Sequence, residues 1–442
     1  MSNLSKIAGA CLCAALLAAC AGAGTSVFPT TKTLLVPLSR ASGKSVLYRF
    51  KGYSHRDGQD PEAGLTAVNG MLYGTTAGGG GAKCGRYPGG CGTVYRISPS
   101  GGEHVLYRFK GAPDGMFPSA NLLAMDGALY GTTAGGGENN AGTVFAVDSN
   151  TGAESVVYNF RGQDAGDGAY PRGGLIALNG VLYGTATQGG SAKCNNVNTR
   201  GCGIVFSVTT SGTERVLHIF KGGGGNQNKD GGYPYAGLTA MNGLLYGTTN
   251  GGGRYSGSCD EGCGSVFEMS PSGNQYRVLY RFKGGRDGVA PNAGLVNLNG
   301  NFYGATAGGG GSACVATGFG CGTIFEMNAS GRERILHRFM HGLGGSAPND
   351  LIVVGDTLYG TTAAGGGGGC QGYGCGSVFR LNSSGRDYAV LHGFLGSPDG
   401  SEPSGLLEVN GMLYGTTAYG GRCSHGCIKG YGGFGTVFEL TP

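Results

Sequence analysis

Apolar residues in this chain fall into short runs between glycine-rich segments, and the runs return in one fixed order. A run of the form GL-x-A-x leads to a two-residue turn and then to LYGTT. A glycine-rich loop follows, then Gly-Thr-Val-Phe, a Ser-Gly turn and VLY-x-F. The stretch GLTAMNGLLYGTTNGGG, starting at Gly237, carries the first half of the unit. Runs this short, rich in Val, Thr, Tyr and Phe and bounded by turn residues, predict β-strands. The turn before LYGTT is Asn-Gly in five copies, starting at Asn69, Asn179, Asn242, Asn299 and Asn410; the others are Asp126-Gly127 and Gly355-Asp356. Both positions of a type I′ hairpin turn need positive φ, which these residues supply. Helical periodicity is absent beyond the N-terminus, so the predicted fold class is all-β.

The LYGTT tyrosine recurs as Tyr73, Tyr130, Tyr183, Tyr246, Tyr303, Tyr359 and Tyr414, at intervals of 57, 53, 63, 57, 56 and 55 residues. Four short strands per repeat of about fifty residues is the arithmetic of a β-propeller blade. The ends are offset. The chain enters on a fourth run, VLYRF ending at Phe50, and stops on a third run, GTVFELTP ending at Pro442. Pairing the two ends removes two exposed sheet edges. The expectation is a seven-bladed β-propeller of four-stranded blades over residues 41–442, its last blade closed by the N-terminal strand. The aromatics recur in every blade, which predicts packing between blades and not a local ligand platform. The glycine after each LYGTT tyrosine predicts close approach of a neighbouring ring or backbone.

Composition refines this picture. Gly 97 and Pro 15 make about a quarter of the 442 residues, a level that without a period would indicate low complexity. Charged residues are only 13%, and the net charge of +5 is interspersed, which argues against nucleic acid as a partner. Residues 1–19 hold one lysine, Lys6, before an apolar run at 7–19 that is too short to span a bilayer and fits a signal peptide. That run ends in Leu17-Ala18-Ala19-Cys20, which resembles the lipobox of bacterial lipoproteins. The resemblance implies lipid attachment at Cys20, a tether at 20–40, and a cell-envelope address, lipid-anchored at the outer membrane. Twelve further cysteines form six local pairs: Cys84 with Cys91, Cys194 with Cys202, Cys259 with Cys263, Cys314 with Cys321, Cys370 with Cys375, and Cys423 with Cys427. In an oxidising envelope they are expected to be disulfides, stiffening glycine-rich loops that have little side-chain packing of their own. Zinc is the alternative, with Cys423, His425 and Cys427 offering three ligands at most.

The pattern GL-x-A-x-NG-x-LYGTT…GG…GTVF…VLY-x-F resembles the GloVer-type tandem repeat of secreted bacterial proteins. The likeness covers about residues 42–442. It departs at Thr185-Ala186, at Phe302-Tyr303-Gly304-Ala305 and at the missing Asp-Gly before Pro348. It implies an exported propeller and no known activity, so it supplies no catalytic residue.

Candidate chemistry is sparse. His218, His337 and His392 replace the tyrosine of VLY-x-F and read as strand residues, whereas His341 and His425 lie in loops. Aspartates precede glycine in the loops between repeats: Asp57, Asp114, Asp167, Asp230, Asp287 and Asp399. A ring of carboxylates could bind a cation, but an Asp before Gly more often organises its own turn. Glycine runs contain G-x-G-x-x-G matches that open no helix and so fail as phosphate loops. The irregular loops, 135–141, 193–200, 222–229, 339–347 and 422–434, are the better binding candidates. No catalytic residue, metal or cofactor is assigned. The chain is expected to be a monomeric binding or scaffold module for a protein or glycan. The alternative is a carbohydrate-active hydrolase or lyase using loop carboxylates.

Overall fold

The computed structural model describes residues 43–442 except 82, 86–88, 191–193, 195–199, 223–229, 255–258, 260, 312–319, 341, 368 and 423–431. Seven four-stranded antiparallel sheets form the blades of a β-propeller. The first blade runs outward through Thr66–Val68, Met71–Thr76, Thr93–Ile97 and Glu103–Arg108. The last blade has the order Lys44–Arg49, Thr436–Leu440, Met412–Tyr419, Ser401–Val409. Lys44 faces Leu440 and Arg49 faces Thr436, so the N-terminal strand closes the ring as the offset ends predict. The hairpin turns hold Asn69, Asp126, Asn179, Asn242, Asn299 and Asn410 at φ between 50° and 53°, as their sequence requires.

The leucine, the glycine and the two threonines of LYGTT each have a separate contact. The leucine is buried in its blade, as Leu72 and Leu129 are. The glycine faces the third-strand aromatic, Gly247 opposite Phe267 for example. A Cβ on Gly247 would lie 2.5 Å from Phe267 Cζ, so only glycine leaves room for the ring. That ring meets the outer-strand Phe of the preceding blade edge to face, at 5.0 Å for Phe109–Phe145 and Phe160–Phe206. The Phe50–Tyr95 pair does the same where the last blade meets the first. Seven such pairs span the seven seams. Each contributes about 0.5–1.5 kcal/mol beyond its buried area.

In five blades the first threonine reaches forward to the next blade, as Thr185 Oγ1 donates to Ala236 O at 2.9 Å and Thr416 Oγ1 to Ala63 O at 2.7 Å. The second stays within its blade, as Thr76 Oγ1 meets Thr93 Oγ1 at 2.7 Å. In the third blade both partners change, to Ala186 opposite Ile204. Exchanging the pair together leaves no buried hydroxyl unpaired.

Two features were not legible in the runs. Gly58–Gln59 pairs with Gly78–Gly79, and equivalent two-stranded ribbons join the inter-blade loop to the glycine loop in the next two blades. The inner strands Ser346–Val354 and Ser401–Val409 are longer than the others. Their blades read Pro-Asn-Asp-Leu and Pro-Ser-Gly-Leu where the first reads Pro-Glu-Ala-Gly-Leu. One residue fewer draws the connection into the strand, with irregularities at Pro348/Asp350 and Ser404/Leu406.

Candidate functional site

The proline before each inner strand is a seam element. Pro118, Pro171, Pro234, Pro291, Pro348, Pro403 and Pro61 each lie against the glycine that opens the third strand of the preceding blade. A Cβ on Gly264 would sit 2.4 Å from Pro291 Cδ. The residue before each proline is held at positive φ: Asp60, Phe117, Tyr170, Tyr233, Ala290, Ala347 and Glu402, at 52–62°. Bulky residues seldom adopt this conformation, and it persists only where surroundings over-determine it. The surroundings are visible. Tyr233 N donates to Cys202 O of the preceding blade at 2.7 Å, while Tyr233 O accepts from Asn250 N of its own blade at 3.0 Å.

This clasp aims the residue after each proline at the axis. The seven inner-strand starts line one cavity of about 480 Å3, whose mouth carries Glu62, Ser119, Arg172, Tyr235, Asn292, Asn349 and Ser404. The framework is sevenfold, but these side chains differ in charge, size and chemistry. Tyr235 is the one aromatic among the seven, and it is 39% exposed. Glu62 opens on the channel, yet the protein crowds it enough to push its carboxyl up, with Arg172 opposing. Burial raises Asp60 to about 6 against a hydrogen bond from Gln59. Glu402 is raised by burial and then by the charge of Glu62. Asp350 occupies an Ala or Gly position of other blades. Burial raises it to about 6, and its Oδ2 accepts from Leu406 N at 2.8 Å.

A second cavity of about 550 Å3 shares Glu62, Ser119 and Arg172 and runs over the second blade. Met116, Phe117 and Tyr170 form its apolar wall, and Gln59, Asp60 and Asn140 its polar edge. It opens beside the short 135–141 loop, the one whose repeat lacks a cysteine pair.

The Asp-Gly aspartates lie away from this mouth and hold their own turns. Asp57 Oδ2 accepts from Tyr48 Oη and Lys51 N, both at 2.8 Å, and Oδ1 from Gly58 N at 2.7 Å. Asp114 and Asp167 repeat the arrangement with Tyr107 and Tyr158. Asp287 takes Tyr280 Oη and Lys283 N. Where histidine replaces the tyrosine, His218 Nε2 lies 3.2 Å from Asp230 and His392 Nε2 3.0 Å from Asp399. His337, whose loop has Gly344 in place of the aspartate, stacks on Tyr388 at 3.9 Å, and burial lowers it to about 4. Half-buried glutamates from the next blade crowd four of these tyrosines. Glu103, Glu154 and Glu214 are raised to about 7, by burial first and then by Asp57, Asp114 and Asp167. Glu333 is raised the same way beside Asp287.

Disulfides join Cys84 to Cys91, Cys194 to Cys202, Cys259 to Cys263, and Cys370 to Cys375. Cys321 is disulfide-bonded. The expectation that these bridges chiefly stiffen loops with little side-chain packing of their own needs correction. Cys91, Cys202, Cys263 and Cys375 are wholly buried, and their partners nearly so. Cys84 and Cys91 belong to the apolar cluster of Phe109, and Cys370 and Cys375 to that of Phe394. The bridges are therefore part of the seam cores and lie beneath the surface that a ligand would touch. Their burial follows from position, because Cys91, Cys202, Cys263 and Cys375 each directly precede the glycine that opens the third strand. Cys20, Cys314, Cys423, Cys427, His341 and His425 lie outside the described residues. Among the described residues no three His, Cys, Asp or Glu side chains gather as a metal-ligand set.

The mouth residues escaped sequence reasoning, which ranked the loops after GTT and the Asp-Gly aspartates. Their signal was nevertheless present: a highly variable position directly after a constant proline and two or three residues before a constant leucine.

The model of the Gloeobacter/Verrucomicrobia repeat matches residues 24–259 and 255–442. No curated protein matches the chain significantly. Among solved structures, an oligogalacturonate lyase from Vibrio parahaemolyticus is 12% identical, with TM-score 0.50, covering 90% of this chain and 93% of its own. The computationally designed Ika8 protein is 13% identical at TM-score 0.46, with coverage of 90% and 99%. A nidogen/laminin complex chain is 14% identical at TM-score 0.40, with coverage of 66% and 84%. At these identities the likeness is one of fold.

Proposed function

The chain belongs to the Gloeobacter/Verrucomicrobia repeat family, and we propose that it is a glycan-binding module of the cell envelope, lipid-anchored through Cys20 at the outer membrane, with its site at the axial mouth. The observation that carries the reading is the divergence of side chains on a sevenfold frame. Six seams repeat the same packing around Glu62, Ser119, Arg172, Asn292, Asn349 and Ser404, and at the seventh Tyr235 offers an exposed ring. An aromatic face beside amides and hydroxyls is the chemistry that stacks on a sugar ring and bonds its hydroxyl groups. The second cavity, with Phe117 and Tyr170, extends the same surface along a chain-like ligand.

The test is calorimetric titration of the mature protein with a panel of oligosaccharides. Tyr235→Ala is expected to weaken binding about tenfold, equivalent to about 1.4 kcal/mol. Binding that survives Tyr235→Ala and Arg172→Ala unchanged removes the mouth as the site.

The half-buried carboxyls favour a second reading, a hydrolase or lyase. Asp60, at about 6, stands beside Glu62, which in turn faces Glu402, and both glutamates are raised, as a general acid requires. Release of reducing ends or unsaturated products from polysaccharides, abolished by Asp60→Asn, would select it. No release under conditions of measurable binding would reject it.

A further inference from the structure

In five blades a basic residue follows the outer-strand phenylalanine: Lys51, Lys110, Arg161, Lys221 and Lys283. In the remaining two, adjacent in the ring, the residue is apolar: Met340 and Leu395. Neither is covered. Met340 is 73% exposed, Leu395 64%, and Leu343, in the same loop as Met340, 77%. With Tyr373 they make up four of the seven large apolar side chains exposed among the described residues, so the exposure is concentrated. The loops that carry them touch. Gly366 N donates to Gly342 O at 3.0 Å, Gly365 N to Tyr373 O at 2.8 Å, and Leu395 lies against Gly367. One patch on the sixth blade therefore replaces part of a basic rim.

The first strand of the propeller begins beside this patch. Lys44 Nζ donates to Asp399 O at 2.8 Å, pairs with the Asp399 carboxylate, and sits 4.9 Å from the centre of the Phe394 ring. The strand that begins at Lys44 therefore starts beside the loop of Leu395. Gly43, where the described residues begin, adjoins Lys44 in sequence. Cys20 is 23 residues before Gly43, a distance that covalent geometry limits to about 80 Å.

We propose that the patch of Met340, Leu343, Tyr373 and Leu395 is a membrane-contact surface, seated on the bilayer that holds the chain's acylated N-terminus. This rests on the lipid anchorage at Cys20 proposed above. Four side chains cannot supply the ~800 Å2 per partner of a stable protein interface. Single long apolar side chains standing out from loops are suited to the boundary between headgroups and acyl chains, where burial of apolar area adds to the anchor. Exposed Arg338, two residues before Met340, and exposed Arg49, whose Nε donates to Pro398 O at 3.3 Å, flank the patch and suit phosphate headgroups.

The chain has no tryptophan, so one introduced indole reports its own surroundings. The mature acylated protein is reconstituted with phosphatidylethanolamine/phosphatidylglycerol vesicles as Leu395→Trp, Met340→Trp and, on the third blade, Ile219→Trp. Flotation and the melting temperature are recorded for each. The expected result is flotation of all three, with blue-shifted emission and quenching by brominated lipid in the first two alone. Flotation without a shift in the Leu395→Trp and Met340→Trp variants overturns the contact surface and leaves the anchor standing. Equal shifts in all three variants also overturn it. Failure of the unsubstituted acylated protein to float overturns the anchorage and, with it, this inference.

Discussion

Replacing Glu103, Glu154 and Glu214 together by glutamine should stabilise the protein in alkali and leave it nearly unchanged in acid. Each carboxyl is half-buried beside an aspartate that already holds a turn, and burial followed by that charge raises it to about 7 from 4.5. Oε1 of each is also buried without a hydrogen-bond partner. The folded protein thus holds extra protons between about pH 4.5 and 7. The stability they contribute is complete below the unfolded value and is lost as pH rises through the folded one. A full shift of this size corresponds to about 3 kcal/mol per site. The groups are partly solvated, so we take about 1 kcal/mol each. The sites sit at three different seams and should add, to roughly 3 kcal/mol at about pH 8.5 and near zero at about pH 4.5. Urea unfolding of both proteins across this range measures the difference. Parallel stability profiles, or a variant weaker than the parent at the alkaline end, would refute the reasoning.

Two further perturbations probe the seams and loops. Gly264→Ala puts a methyl group 2.4 Å from Pro291 Cδ and 2.5 Å from Thr249 O at φ +93°, and should cost roughly 3 kcal/mol by urea midpoint. Cys259→Ser with Cys263→Ser opens a bridge that spans four residues. It should lower stability by about 2 kcal/mol in the chain-entropy relation and leave the far-ultraviolet dichroism intact.

The fold was legible because its signals are local or repeated. Asn-Gly turns, the LYGTT spacing and the offset ends each point to four-stranded blades, and the closed sheet from Lys44 to Val409 follows from them. What each residue touches was less legible. Nothing in the run LYGTT says that Thr185 bonds to the next blade and Thr76 to its own. The pairing of Cys91 and Cys375 with their near neighbours could be read from spacing, but not their burial beneath Phe109 and Phe394. The pattern of the Asp-Gly aspartates favoured a turn over a ring of ligands but fitted both. Their tyrosine partners, nine residues away at Tyr48 and Asp57, decide the matter in space. The mouth was hidden for a different reason. Glu62 and Tyr235 are far apart in the chain and meet only because the ring closes. Recurrence draws the eye to constant positions, whereas this site is made from the inconstant ones.

Ring closure also sets a timetable. The strand Lys44–Arg49 is the first of the propeller to be synthesised, and its partner Thr436–Leu440 is the last. At about 5–20 residues per second, roughly 20 to 80 s separate the two. During that time the strand lacks its hydrogen-bonded partner strand. Its ends are Lys44 and Arg49, and charges of this kind discourage pairing with another molecule. A protein that folds blade by blade therefore gains its final cooperativity only when its last residues arrive.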